Sequence, residues 1–225
     1  MSDTSVTDAP LILSFDTSGP WLEVCLLSGQ EVLSEHAVEM AKGQAEALFP
    51  ALEEVLSAAG VAWAELDAIG VGTGPGNFTG IRISVSAARG LALALDIPAV
   101  GVSILEAAAF GQDGPVLATR DAPLGQVYVQ GFGTRSPVAP ALVTVDAIDP
   151  VLGEPGLVCV GAAAKAVAER IGAEAVAQKH PTAAAISRIA VQRLGGEIVA
   201  PAPLYLKPAD AAPSREAPPV ILDDA

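Results

Sequence analysis

The chain alternates short apolar runs with clusters of glycine and proline. Residues 11–15 (LILSF) form an apolar run ending at Asp16-Thr17-Ser18-Gly19, a strand entering a small-residue turn. Residues 23–28 (EVCLLS) and 31–38 (EVLSEHAV) read as two further strands joined by the turn Ser28-Gly29-Gln30. The period then changes. Across residues 44–58 the apolar positions Ala45, Leu48, Phe49, Leu52, Val55 and Leu56 recur at helical spacing, and Gly60 ends the helix. A buried strand follows at 66–72 (LDAIGVG). Gly72, Gly74, Pro75 and Gly76 then forbid regular structure, and Asn77 or Thr79 offers a cap. A helix runs over 79–95 and Pro98 stops it. A strand at 99–103 and a helix at 104–110 complete this first set.

The order βββαβαβα is that of a ribonuclease-H-like unit, whose last strands are parallel with helical crossovers. Residues 111–115 mark a junction. A second set follows: strands at 116–119, 126–132 and 157–161, helices at 162–172 and 182–194, and a proline-rich stretch over 137–155. It reads as a degenerate copy of the first. Two such units facing each other make the α/β architecture of actin, sugar kinases and Hsp70, the ASKHA fold. The expected organisation is a disordered polar tail over 1–10, a first domain over 11–110, a second over 111–207 and an extended tail over 208–225.

Composition narrows the partners. Apolar residues make up 51% of the 225, but aromatics only 4%, so the core must be built from Ala, Val, Leu and Ile. The net charge is −14, and over residues 1–81 Lys42 stands alone against twelve acids. Such a surface repels phosphate backbones, which argues against direct nucleic-acid binding by this chain alone. Cys25 and Cys159 lie too far apart for a CxxC motif and read as two buried free thiols. The first ten residues carry no basic-plus-apolar leader and no uncharged run of about 18 apolar residues occurs, so a cytoplasmic location is expected.

The glycine turn is the first candidate for chemistry. Strand, turn and helix start gather free backbone N–H groups at one point, with the helix dipole behind them. Such a point suits an anion or the close approach of another backbone; the residue types alone favour a tight turn without a ligand. It is neither a Walker A loop nor GxGxxG. Asp16 closes the first strand, and Asp16-Thr17-Ser18-Gly19 loosely resembles the phosphate loop of actin-like ATPases. A nucleotide site would thus draw on Asp16, Thr17, Ser18, Gly74 and Gly76, with Asp121 and Gly161 in the second half. The alternative for Asp16 is capping its own turn. His36 and His180 are far apart and no carboxylates cluster, so no metal site is expected. No GxSxG elbow or Ser/His/Asp arrangement supports a nucleophile.

Residues 74–94, beginning GPGNFTGIR, resemble the GPGSFTGxRxGxxxAKGLA signature of the TsaB family, also called YeaZ. Further resemblance lies in ILSFDTS (12–18), AEALFP (45–50), PAVGVSILEA (98–107), DAPLGQVY (121–128) and PLYL (203–206). It is dense over the first half and thin over 136–200. The resemblance implies the ASKHA fold and a subunit with no catalytic residue or cofactor of its own. It implies docking on a TsaD-like catalytic subunit that transfers threonylcarbamoyl to adenosine 37 of tRNA. It further implies a TsaE-like ATPase joining the pair, a possible homodimer, and tRNA reached only through the complex. Docking would use the first two helices, through Gln44, Leu48, Leu52, Arg82, Ser86, Arg89 and Leu93. Three departures count against a nucleotide site or the usual pattern: Pro123 stands where the family has Arg, Gly161-Ala162-Ala163 lacks a double glycine, and Gln44 replaces a frequent His. The rival functions are an actin-fold kinase or hydrolase using Asp16 and Asp121, and a glycoprotease-like peptidase.

Overall fold

The computed structural model describes residues 9–196, 198 and 200–206. The two expected tails lie almost wholly outside that range. The first sheet begins with three antiparallel strands, β1 (Leu11–Asp16), β2 (Trp21–Ser28) and β3 (Glu31–Glu39). After helix α1 (Gln44–Ala59), β4 (Ala68–Gly72) returns parallel to β1. After α2 (Phe78–Leu95), β5 (Ala99–Val102) lies parallel to β4. The order is β3-β2-β1-β4-β5. A parallel neighbour needs a crossover, and α1 and α2 supply the two. With helices on both faces, β4 is buried at all five positions, which is why it reads as an unbroken apolar run. Edge strand β3 is mostly exposed and carries Glu31, Glu35 and Glu39, charges that discourage pairing with another chain.

Helix α3 (Ile104–Ala109) leads to a second sheet of the same design. Strands β6 (Val116–Asp121), β7 (Gln126–Phe132) and β8 (Ala141–Thr144) are antiparallel, and β9 (Val158–Gly161) and β10 (Glu174–Val176) continue parallel to β6. The order β10-β9-β6-β7-β8 repeats the first sheet strand for strand. Helix α4 (Ala164–Ile171) matches α2, but nothing matches α1. In its place the proline-rich stretch makes two single 3-10 turns, Val145–Ala147 and Pro150–Leu152. Strands β8 and β10 are additions to the sequence reading: β8 is three half-buried residues and an exposed Thr144 after a proline-rich run, and β10 has three residues with no buried side chain. The remaining boundaries shift by one or two residues.

The last helix of each half covers the sheet of the other. α3 follows β5 yet packs on β6, β7 and β9, while α5 (Thr182–Arg193) follows β10 yet packs on β1, β2, β4 and β5. Its small residues permit a close approach. Ala185, Ile186, Ile189 and Ala190 join Ile12, Ala68, Val100, Val102, Ile104 and Ala107 in one buried cluster. A Cβ on Gly70 of β4 would collide with Ser14 Oγ and come within 3.0 Å of Ile186. On the opposite face of the first sheet, α1 contributes Leu48, Ala51, Leu52, Val55 and Leu56 to a core with Leu13, Phe15, Leu22, Val24 and Leu26.

Candidate functional site

The glycine turn is shaped by backbone contact. Asn77 caps α2, its side chain accepting from Thr79 N at 2.9 Å and Gly80 N at 3.1 Å, so the helix start satisfies its own free donors. Asn77 N donates to the Ser18 carbonyl at 2.7 Å, and Thr17 Oγ1 donates to the Gly80 carbonyl at 2.7 Å. The loop after β1 therefore lies directly on the start of α2. Side chains on Gly76 and Gly80 would run into the carbonyls of Ser18 and Thr17, and one on Gly72 into Asp16 Oδ1. Of the two uses open to such a turn, close backbone approach is the one these contacts require. The Gly74–Pro75 peptide is cis.

Asp16, Thr17 and Ser18 are fully buried. Asp16 Oδ2 accepts from Ser18 Oγ and from Trp21 Nε1, both at 2.9 Å. Arg120 enters from the end of β6 in the other sheet. Its Nη1 donates to Ser18 Oγ and its Nη2 to the Ser18 carbonyl, each at 3.0 Å, and its guanidinium lies 4.7 Å from the centre of the Trp21 ring. Burial pushes Arg120 below its ordinary pKa, and the Asp16 charge partly restores it. Nearby, burial raises the Glu23 carboxyl, and the Asp16 charge adds to the rise. Ser18 and Asp16 Oδ2 are thus engaged by a cation, an indole and a helix start of the same chain, while Asp16 Oδ1 is buried without a hydrogen-bond partner among the described residues. Gly161 has φ 103° and abuts the Thr119 carbonyl, and Asp121 is exposed beyond the cluster. Among the described residues no three His, Cys, Asp or Glu side chains gather as metal ligands. Sequence reasoning passed over Arg120. Its trace is a cation at the end of the apolar run VLAT, where solvent would otherwise be expected.

The residues expected to dock a partner divide. Arg82, Ser86, Arg89 and Leu93 all lie on the solvent side of α2, with Leu93 86% exposed. Leu48 and Leu52 are 1% and 0% exposed. They are core residues beneath α1, so the expectation that they dock a partner is corrected: an amphipathic helix has one apolar stripe, and the sheet takes it. Gln44 is also buried, donating to the Met40 carbonyl at 2.8 Å and the Gly19 carbonyl at 3.3 Å. The outer side of α1 presents Phe49 instead, 46% exposed. On α2, Arg82 stacks 3.8 Å from the centre of Phe78 and its Nε donates to the Tyr205 hydroxyl at 2.9 Å. Tyr205 belongs to a segment fastened by Leu204 N on the Thr73 carbonyl at 2.8 Å. α2 is also long and apolar enough, by length and composition, to cross a membrane. Its Ile81, Val85 and Ala88 nevertheless pack inward, and its outer face carries two arginines.

Comparison with known proteins agrees with this geometry. The family model of TsaD, tRNA N6-adenosine threonylcarbamoyltransferase, matches residues 32–149, just over half of the chain. The tRNA threonylcarbamoyladenosine biosynthesis protein TsaB of Bacillus subtilis is 40% identical over 120 residues, 52% of each chain; the match spans about half of that curated relative. The structure of YeaZ from Pseudomonas aeruginosa superposes with a TM-score of 0.71 at 28% identity, covering 88% of this chain and all of that one. Component A of the (R)-2-hydroxyglutaryl-CoA dehydratase of Acidaminococcus fermentans superposes at 0.54 with 11% identity, over 84% of this chain and all of that one, a likeness of fold alone. The doubled five-stranded sheet is the ASKHA architecture, and with the signature turn seated between β4 and α2, the chain belongs to the TsaB (YeaZ) family.

Proposed function

We propose that this chain is a partner-binding subunit in tRNA threonylcarbamoyladenosine biosynthesis, without turnover of its own. In this reading it holds a TsaD-like catalytic subunit against the outer faces of α1 and α2, a TsaE-like ATPase joins the pair, and tRNA is met only through the complex. The same face serves a homodimer when the partner is absent. Residues 11–110 and 111–207 are the two repeat units, with the docking face on the first. One observation carries the reading: α2 exposes Leu93 together with Arg82, Arg89 and Phe78, and α1 exposes Phe49, a set suited to an apolar contact ringed by charge.

Ser86→Glu tests it. A carboxylate buried unpaired in a close interface costs several kcal/mol, enough to abolish a micromolar contact. On the free chain an exposed helical Ser→Glu change costs within about 0.5 kcal/mol. The expected result is an unchanged melting temperature, loss of co-elution with the TsaD-like subunit, and loss of tRNA modification in the reconstituted complex. A variant that still docks and supports activity places the contact elsewhere.

A further inference from the structure

The segment after α5 returns to the first sheet and reaches α2. Its sequence over 201–206, PAPLYL, places proline at alternate positions, which keeps the residues before them extended. Three contacts fasten it. Pro201 is buried against Gly101 of β5, where an added Cβ would lie 3.0 Å from the Pro201 Cβ. Leu204 N donates to the Thr73 carbonyl at the start of the glycine turn. Leu206 packs on the cluster that contains Leu105, Ala108 and Tyr128. Tyr205 sits between the last two anchors. Its hydroxyl accepts from Arg82 Nε at 2.9 Å, across 123 residues of sequence, and its ring lies 4.9 Å from that of Phe78. The Arg82 guanidinium in turn lies 3.8 Å from the centre of the Phe78 ring.

This clasp lies outside the core: Tyr205 is 44% exposed, Phe78 50%, and Arg82 is exposed. An exposed arginine ordinarily samples many rotamers, and fixing it costs side-chain entropy. Three exposed side chains locked together stabilise the free chain little, because contacts in water are weak. What the clasp does is hold one guanidinium at a set place on the outer face of α2. We infer that Tyr205 is a positioning residue for the partner-binding face. It holds Arg82 on Phe78 in the arrangement in which the partner is met, so the ordering of Arg82 occurs on folding and is not subtracted from docking. The inference rests on the function proposed above. It also makes that face a product of both ends of the chain: α2 supplies the residues, and the segment after α5 sets them.

The test compares the isotope-labelled full chain with Tyr205→Phe, which keeps the ring and removes the acceptor, and with Tyr205→Ala, which removes both. The Arg82 Nε–H signal in the NMR spectrum, identified by its loss in Arg82→Lys, is expected to exchange with solvent about fivefold more slowly in the natural chain than in either variant. Exchange that the variants leave unchanged overturns the inference before any partner is added. Docking is then measured by titration with the TsaD-like subunit. Tyr205→Ala is expected to weaken binding on the order of tenfold at an unchanged melting temperature, and to have no further effect in an Arg82→Ala background. A loss that adds in full to that of Arg82→Ala shows Tyr205 acting on the partner by itself and overturns the positioning role. A melting temperature that falls together with the affinity overturns it in favour of a structural role. A natural chain and a Tyr205→Ala variant that bind equally well overturn the inference and leave the proposed function standing, whereas a natural chain that does not bind the TsaD-like subunit overturns both.

Discussion

Arg120 leaves a strand of the second sheet and ends on the loop that follows the first strand of the other. Its fork matches the two oxygens of Ser18, a geometry that a lysine ammonium does not reproduce. Arg120→Ala removes both guanidinium donors from Ser18 and the buried cation that faces the Asp16 charge, leaving Asp16 only its neutral donors, and is expected to cost about 3 kcal/mol. Arg120→Lys should recover only part of it. Denaturant midpoints of the two variants measure this. Glu23 acts through pH. Its folded carboxyl is raised by burial, so the protonated form is favoured in the folded state. Its contribution is complete below the unfolded pKa and is lost as pH rises through the folded value. Glu23→Gln removes that component, so the stability of the natural chain relative to the variant should fall steadily as pH rises from about 4 through the raised value. A constant difference across that range would contradict the assignment. Neither residue was legible as a site. An arginine at a strand end and a glutamate in an alternating strand look like surface charges until the second sheet is folded against the first.

Helices and strands were more legible than their neighbours. The 3.6-residue period located α1, because the sheet demands a continuous apolar stripe, and the cap after the glycine turn together with Pro98 located α2, each to within a residue. The docking role that the resemblance implied for Leu48 and Leu52 set aside what the stripe marks, the buried side, and the sheet is what buries it. Leu52→Ala is therefore expected to cost about 2–5 kcal/mol in unfolding free energy, through the cavity it opens in the core. Thermal or denaturant unfolding of the free chain reads this directly, and a stable Leu52→Ala variant would return the residue to the surface. The strands left unread, β8 and β10, bury too little to imprint a pattern. Glycines 72 and 76 were legible as a break in structure, but what they approach was not: Asp16 and the Ser18 carbonyl come from a strand end and loop some sixty residues earlier, as does the Thr17 carbonyl against Gly80 inside the helix.

Across the whole molecule, the exchange of α3 and α5 was beyond the sequence. Ala-rich helices fit any sheet face, and only the three-dimensional path assigns α5 to β1, β2 and β4. The exchange makes each half incomplete alone. Residues 1–110 expressed by themselves would bare Ile12, Ala68, Val100 and Val102, the face that α5 covers. That fragment is expected to remain unfolded or aggregate, and the intact chain to melt in one transition with equal calorimetric and van't Hoff enthalpies. A soluble fragment with a cooperative melt of its own would show the halves to be independent.

The arginine set between the sheets also bears on how the chain meets other molecules. Two lobes fastened by a guanidinium at one point and by exchanged helices at another have little freedom to rock about the chain between them. A rocking body must be stilled when it is captured, and that lost motion is subtracted from the grip. Here the stilling occurs during folding, before any encounter, so a partner that docks on the outer side of α2, as proposed, would meet a firm platform and spend little of the contact energy on ordering it.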